Sequence, residues 1–392
     1  MRCIVATPRG QPMRVSSRAI ASVVRLHGDS AESAELLSRL ARAEGAQWVA
    51  PTSDTSLQII SAAYRELARS CAVGCPPPHI VQRVLDKAAL LETAERSGVP
   101  VHRSRAGART SERAPSLRVG LGMLLAKGNV VTSVQHLRLS ENPPASGVTV
   151  VARTEAVDPK LLAYATRVLR ALEWEGAGMV EFRIDGATGE SALVDVIGHF
   201  WSSLALEIAA GVDFPLYAWQ LSQGITPAPP SSYPYGLRMR WTAGSLMRVG
   251  HVFAERREDR IPVGNALRQL LADFAPGTRS AMWSWDDPIP AIREAAVAEK
   301  RWMKDASKLA LHAIVPSSLL GIVKDSRMLT AERRATYMKR RLLRTVGATR
   351  AVSLPQPVTS VLFVCHGNIM RSAAAAGFLK HELRAAGISG VR

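Results

Sequence analysis

Residues 178–200, "GMVEFRIDGATGESALVDVIGHF", constrain the fold more than any other part of the chain. Two runs of alternating apolar and polar residues flank an Asp-Gly, Thr-Gly turn, which is the pattern of two strands joined by a tight connection. A second such pair, "VGLGMLLA" and "NVVTSVQHLRL", meets at Lys127, Gly128 and Asn129 and reads as a hairpin. The segment "DPKLLAYATRVLRALEW" lies between the two pairs and carries the period of an amphipathic helix. After the second pair, "SSLALEIAAGVDFPLYAWQLSQG" reads as a helix pair broken near Gly211.

Upstream, short apolar runs alternate with helical patterns. Cys3 to Ala6 is a candidate strand, and "AESAELLSRLARAEG" a candidate helix. "AQWVAPTSDTSLQII" reads as a buried strand, a turn at Asp54 and a helix running to Arg69. In the next helix Ile80, Val84, Ala88 and Leu91 share one face, and Gly98 with Pro100 ends it. Strand–helix alternation of this kind argues for an α/β layer. Gly120 and Gly122 lack the third glycine and the helix of a nucleotide fingerprint.

Two stretches punctuate the pattern. Residues 103–118, "RSRAGARTSERAPSLR", hold five arginines and no period, which marks a linker or exposed loop. Residues 225–236, "ITPAPPSSYPYG", are Pro-rich and mark a boundary. At 392 residues the chain has room for two or three domains. The expected division is 1–102, an N-terminal α/β part; 103–118, the linker; 119–225, a core half; 226–355, a mixed and increasingly basic region; and 356–392, a C-terminal segment. Asp286 and Asp287 read as turn or cap residues.

Taken together, "LDKAALLETAERSGVPV", "GMLLAKGNVVTSVQHLRLSENPPASGV" and residues 178–215 resemble the ATP-grasp superfamily, the carbamoyl-phosphate-synthase-like carboxylate–amine ligases. The resemblance covers roughly half the chain and implies an ATP-grasp-like core with ATP and Mg²⁺ as cofactors. By its implication Glu181 and Asp195 hold metal, Lys87 touches ATP phosphates, and Arg138 belongs with it among the cofactor-binding residues. A register opposing Glu181 to Asp195 puts both carboxylates on one face, and a one-residue slip separates them. The competing reading has Glu181, Arg183 and Asp185 alternating on a solvated strand face. The family's next ligand, an asparagine, falls on Ile197, and its usual arginine on His199. The family's separate lid falls in the interval between Val101 and Val119, which is too short for a layer with its own core.

The C-terminal segment supports a second resemblance. "VLFV" is an apolar strand, "CHGNIMRS" is Cys-x5-Arg-Ser, and "AAAAGFLKHELRAAG" has high helix propensity. A loop between a strand and a helix N-terminus cradles anions, favours a thiolate and lets an arginine grip phosphate oxygens. These residues resemble the low-molecular-weight protein tyrosine phosphatases. The resemblance implies Cys365 as nucleophile, Arg371 as phosphate clamp, Asn368 as the residue fixing the loop, and Ser372 as the thiolate's hydrogen-bond donor, acting on a phosphotyrosine-like substrate. Met370, Ala373 and Ala376 depart from the family's usual Cys, Pro and Glu. The family's aspartate acid lies further downstream, so the expectation is a truncated doubly wound phosphatase P-loop segment with slowed hydrolysis.

The fold class expected is therefore α/β and α+β multidomain, an ATP-grasp-like core followed by that segment. The expected function is an ATP/Mg-binding, ligase-like protein fused to a truncated phosphatase, impaired in one or both activities. Two alternatives stay open: a phosphatase-lineage protein with a non-catalytic ATP-grasp-like region, or a non-enzymatic basic scaffold. A net charge of +17 attracts anionic partners without choosing among them. The run 324–350 offers a basic surface to anionic membranes, against the plainer reading of a solvated helix. No RNA-binding signature or zinc-finger spacing is present, so nucleic acid is not expected. Cys71 and Cys75 are separated by three residues with no second Cys/His pair, and they read as free thiols. Few cysteines and no signal-peptide pattern lead to an expectation of the cytoplasm.

Overall fold

The computed structural model describes residues 2–8, 17–27, 30–102, 116–142, 147–254 and 263–296, together with 339 and 343. The chain forms two compact units, Met1–Leu309 and Ala310–Arg392. In the second, the described residues are Lys339 and Leu343, both helical.

The first unit opens with β1 (Cys3–Thr7), β2 (Ile20–Arg25), α1 (Ser30–Ala43), β3 (Trp48–Val49), α2 (Asp54–Ala62), α3 (Tyr64–Leu67) and β4 (Ala72–Val73). Strands β1 and β2 pair in parallel, as do β3 and β4. α2 starts where Ser53 and Ser56 cap each other reciprocally, which satisfies two amide donors of the first turn. Leu37, Leu57, Ile60, Leu67 and Val81 form the core of this layer. Cys75 sits inside it at 6% exposure.

Burial pushes the Cys75 thiol up to about 12. Only about one thiol in ten thousand is then ionised at pH 8, and the thiolate is the reactive form. Cys75 is expected to label with iodoacetamide far more slowly than the partly exposed Cys3, with the two rates converging only in denaturant. Peptide mass spectrometry of timed labelling checks this, and equal native rates would contradict the burial.

The helix expected over residues 80–97 is divided into α4 (Pro78–Leu85) and α5 (Lys87–Arg96). Asp86 lies between them in extended backbone, and its carboxylate accepts from the amides of Ala88 and Ala89. A short acidic side chain at that point caps a new helix better than it continues an old one. The expected face is corrected accordingly: Ala88 is exposed, while Leu90, Leu91 and Ala94 turn inward.

The remaining elements are β5 (Leu117–Ala126), β6 (Asn129–Asn142), β7 (Val148–Glu155), α6 (Pro159–Ala171), β8 (Gly176–Ile184), β9 (Ser191–Ile197), α7 (Leu204–Ala209), α8 (Phe214–Ser222), β10 (Arg238–Arg240), α9 (Thr242–Ala254), α10 (Val263–Asp273) and β11 (Thr278–Ser280). Seven strands build one sheet in the order β11-β10-β7-β6-β5-β8-β9. The β5–β6 connection is the expected hairpin. Lys127 and Gly128 both have positive φ, 52° and 71°, as a two-residue primed turn requires. Glu175 accepts from both of their amides, at 2.7 and 2.8 Å, which holds a non-glycine residue in that conformation.

Both faces of the sheet's centre are covered. Val119, Leu121, Met123 and Leu125 of β5 pack with Val180 and Phe182 of β8 in one cluster with residues of α5 and α6. Leu124, Val134 and Met179 point the other way, into a cluster with Trp201, Val212, Phe214 and Tyr217. This explains why β5 reads as a continuous apolar run. The Pro-rich stretch at 225–236 leads directly back into this sheet, because β10 pairs with β7 and β11 with β10. Asp287 accepts from the Ser17 hydroxyl at 2.6 Å and the Arg18 amide at 2.8 Å, a link to a segment distant in the chain rather than a local turn contact.

Candidate functional site

Strand register decides which side chains can act together. Gly120 of β5 faces His136 of β6 on one side and Glu181 of β8 on the other. Glu181 in turn faces Asp195 of β9, so His136, Gly120, Glu181 and Asp195 form one transverse row on one sheet face. One pleat along, Arg138, Arg118 and Arg183 form a second row on the same three central strands.

A β-bulge keeps the carboxylates opposed. Glu181 pairs with Asp195 and the following Phe182 with Leu193, which leaves Val194 without a partner in the ladder. Its carbonyl accepts instead from the Lys87 ammonium. Lys87 Nζ also stands 2.6 Å from Asp195 Oδ1. Arg138 is paired with Glu181 and lies 3.5 Å from Glu141 Oε1, which is likewise 3.5 Å from Arg118 Nε. The four residues picked out in this unit, Lys87, Arg138, Glu181 and Asp195, thus meet as two cation–carboxylate pairs side by side.

The electrostatics follow from burial. The Arg138 side chain is 9% exposed, and desolvation lowers its pKa against the opposing pull of Glu141 and Asp195. His102 approaches Arg183, with Nε2 and Nη1 3.4 Å apart. Burial first, then the charges of Arg183 and Arg118, hold its imidazole below the usual histidine range. Asp185 is a turn residue: its carboxylate accepts from the Thr188 and Ala187 amides, and those bonds hold it below the usual carboxylate range.

Behind the first row lies a polar cluster that sequence reasoning missed. His136 and Glu207 are both fully buried, with Nδ1 2.9 Å from Oε1. The Trp201 indole donates to the same Glu207 oxygen at 3.1 Å, and Ser203 Oγ lies 3.1 Å from His136 Nε2. The one available signal was a charged residue inside the apolar helix "LALEIAAG". The cluster also accounts for the two glycines of β5. A Cβ on Gly120 would lie 2.4 Å from the His136 ring, and one on Gly122 would lie 2.6 Å from Trp201.

Neither of the two further positions joins the carboxylates as a ligand. Ile197 faces Met179 in the next row and packs at the edge of the apolar cluster around Trp201 and Phe214. His199 turns away, with Nε2 3.3 Å from Asp54 Oδ1 and Nδ1 2.8 Å from the Phe200 carbonyl. A Mg²⁺ ion takes near-octahedral oxygen ligands, shared between one or two carboxylates and bound phosphates. Here both carboxylates already hold a cationic side chain, and isoleucine stands at the third position. The residues present do not fit a dedicated Mg²⁺ centre, and among the described residues no group of three or more His, Cys, Asp or Glu is arranged to hold a metal.

Cys365, Asn368, Arg371 and Ser372 lie outside the described residues, as do residues 103–115 and all of the basic run 324–350 except Lys339 and Leu343. Among the described residues no helix is long and apolar enough to cross a membrane.

Comparison with solved structures returns carboxylases. A complete multifunctional pyruvate carboxylase from Rhizobium etli is 17% identical, with a TM-score of 0.47, over 60% of this chain and 23% of that one. A biotin carboxylase–β,γ-ATP complex from Campylobacter jejuni is 13% identical, with a TM-score of 0.46, over 60% of this chain and 68% of that one. The urea carboxylase of Kluyveromyces lactis is 17% identical, with a TM-score of 0.44, over 60% and 21%. The chain therefore spans about a quarter of the length of the pyruvate carboxylase it matches. No family model and no curated protein matches it. At these identities and TM-scores the likeness assigns neither family nor activity.

Proposed function

We propose that the first unit is an ATP-grasp-like core that binds a nucleotide polyphosphate, ATP by its sequence resemblance, on the sheet face carrying Lys87, Arg138, Glu181 and Asp195. One observation carries this reading. Four residues taken from three separate sequence segments meet on strands β6, β8 and β9 of one sheet and a helix N-terminus, with Glu181 opposite Asp195. Arg138, held between Glu181 and Glu141, adds positive charge beside the site, and Lys87 brings a half-exposed point charge held in place by the Val194 carbonyl. Carboxylate activation by phosphoryl transfer is the ligase chemistry that such a core is built for, and Ile197 and His199 stand where that chemistry has its further ligands.

The C-terminal segment adds a phosphomonoester site of the low-molecular-weight phosphatase type to this proposal. Cys365 is its nucleophile, Arg371 its clamp, and Asn368 and Ser372 its loop supports.

Isothermal titration calorimetry of the full chain with ATP tests the first part. The wild type is expected to bind, and Lys87→Ala to bind about tenfold more weakly, as befits one lost charge-assisted contact. Lys87 is half exposed and its replacement leaves the core intact. No heat from the wild type in any buffer would sink the reading. Hydrolysis of p-nitrophenyl phosphate, compared with Cys365→Ser, tests the second part.

A further inference from the structure

We infer that Arg238, Arg240 and Arg248 form a second anion site, where β10 meets α9 and α10, and that its ligand is a phosphate dianion. Four strands separate β10 from β9, where Lys87 is held, and the inference does not rest on the nucleotide reading above.

Arg238 and Arg240 are two residues apart on β10 and so share one face of the sheet. Arg248 follows Ser245 by one turn on α9, as Asp273 follows Gln269 on α10. All three guanidinium groups meet the same short stretch of chain. Arg238 Nη2 donates to the Ala272 carbonyl at 3.3 Å, Arg240 Nη1 to the Thr278 carbonyl at 3.0 Å, and Arg248 Nη2 to Gln269 Oε1 at 2.7 Å. The Arg240 guanidinium also lies 4.2 Å from the centre of the Phe274 ring. Every one of these partners is uncharged. Among the described residues none of the three arginines forms an ion pair, and the Nε of each is buried without a hydrogen-bond partner. Arg248 is the most enclosed, at 8% exposure.

Uncharged partners leave the charge itself unanswered, and burial makes that costly. Burial lowers the Arg248 pKa against the pull of Asp273 and Glu141, and Glu141 is already shared by Arg118 and Arg138. Asp273 is 3% exposed, accepts from the Ser245 hydroxyl at 2.9 Å and feels all three arginines. The end of α10 adds about half an elementary negative charge. One carboxylate and one helix end do not balance three guanidinium groups, and a dianion does. A phosphate accepts several charge-assisted bonds at once, which suits three planar donors. The Thr278 hydroxyl, on the residue facing Arg238 in β11, is also buried without a partner and offers a further donor. The cluster is open to solvent on one side, since Arg238 and Arg240 are half-buried and Phe274 is exposed.

Calorimetry of the full chain with inorganic phosphate and with methyl phosphate, at constant ionic strength, tests the site. A Lys87→Ala, Arg371→Ala double variant removes one phosphate contact from each site proposed above and is still expected to bind. Binding of either probe supports the site, and the tighter of the two tells a free ion from a monoester. Adding Arg248→Gln or Arg240→Gln is expected to weaken binding about tenfold, the loss of one charge-assisted contact. Urea unfolding of Arg248→Met separates a ligand contact from a helix cap. A ligand-binding arginine leaves the phosphate-free midpoint unchanged or higher and loses the rise that phosphate gives the wild type. A cap lowers the midpoint equally with and without phosphate, which would overturn the inference. Circular dichroism confirms the fold of each variant. No binding by the double variant, or binding that both arginine changes leave within about threefold, overturns the site and leaves the nucleotide reading standing. Malonate binding as tightly as phosphate overturns the ligand class.

Discussion

A Glu207→Leu protein is expected to be about 2–5 kcal/mol less stable than the wild type, the cost of leaving buried polar groups without their partner. The expectation is large because nothing near Glu207 can turn to water. Glu207 and His136 are both at 0% exposure, and the Trp201 indole donates to the same carboxylate oxygen. Leucine fills the space but leaves the Trp201 N–H without its acceptor and sets an apolar group where a carboxylate oxygen stood 2.9 Å from the His136 ring. Glu207→Gln keeps an oxygen for Trp201 and is expected to cost less, about 1–3 kcal/mol. Replacing both His136 and Glu207 by leucine should cost less than the two single changes summed, because neither ionisable group is then orphaned. Urea unfolding followed by circular dichroism measures the wild type, both Glu207 variants, His136→Leu and the double variant. A Glu207→Leu midpoint equal to that of the wild type would show that the cluster is not structural.

The same residues show why the site was only half legible in the sequence. Glu181 and Asp195 could be found because strand alternation is a strong signal and the turn at residues 185–190 is short. Their register follows once both strands keep their apolar residues inward. Its bulge at Val194 could not be anticipated, since a bulge is one extra residue with no composition of its own. Lys87 was recognisable by resemblance, but its ion pair with Asp195 depends on Asp86 starting a new helix there. Arg183 read only as one member of an alternating strand, because the row it forms with Arg118 and Arg138 exists only when three strands are aligned. His136 and Glu207 lie in different elements, 71 residues apart in the chain, and neither is unusual alone.

Legibility of the fold divides along similar physical lines. The hairpin at Lys127 and Gly128, helix α6 and the β8–β9 pair carry their signals within one contiguous segment each. Strands β10 and β11 have three residues each, too few for any period; β10 exists because β7 offers it an edge, and β11 because β10 does. Strand β2 was not anticipated either. It is a parallel partner of β1, and its pairing depends on an alignment that composition does not encode.

Trp174→Ala is the other change expected to cost about 3–5 kcal/mol, through the cavity that a fully buried tryptophan leaves behind. Trp174 is 1% exposed and belongs to the core between the sheet and α5 and α6. Its ring also reaches a second core. A Cβ on Gly198 would lie 2.5 Å from the Trp174 ring and 3.1 Å from Leu57, which belongs to the N-terminal layer. A Cβ on Gly178 would lie 3.0 Å from the indole nitrogen, which donates to the Ala177 carbonyl at 3.3 Å. The tryptophan is thus held between two glycines, both at the β8–β9 pair that positions Glu181 and Asp195. Gly198→Ala alone is expected to cost about 1–3 kcal/mol by overpacking. In a Trp174→Phe background, where the smaller ring frees the space, the same change should cost less. Such coupling between contacting residues typically amounts to about 0.5–3 kcal/mol. Urea midpoints at constant slope for the wild type, the two single variants and the double variant give the coupling directly. Strict additivity would mean that the ring does not occupy the space above Gly198.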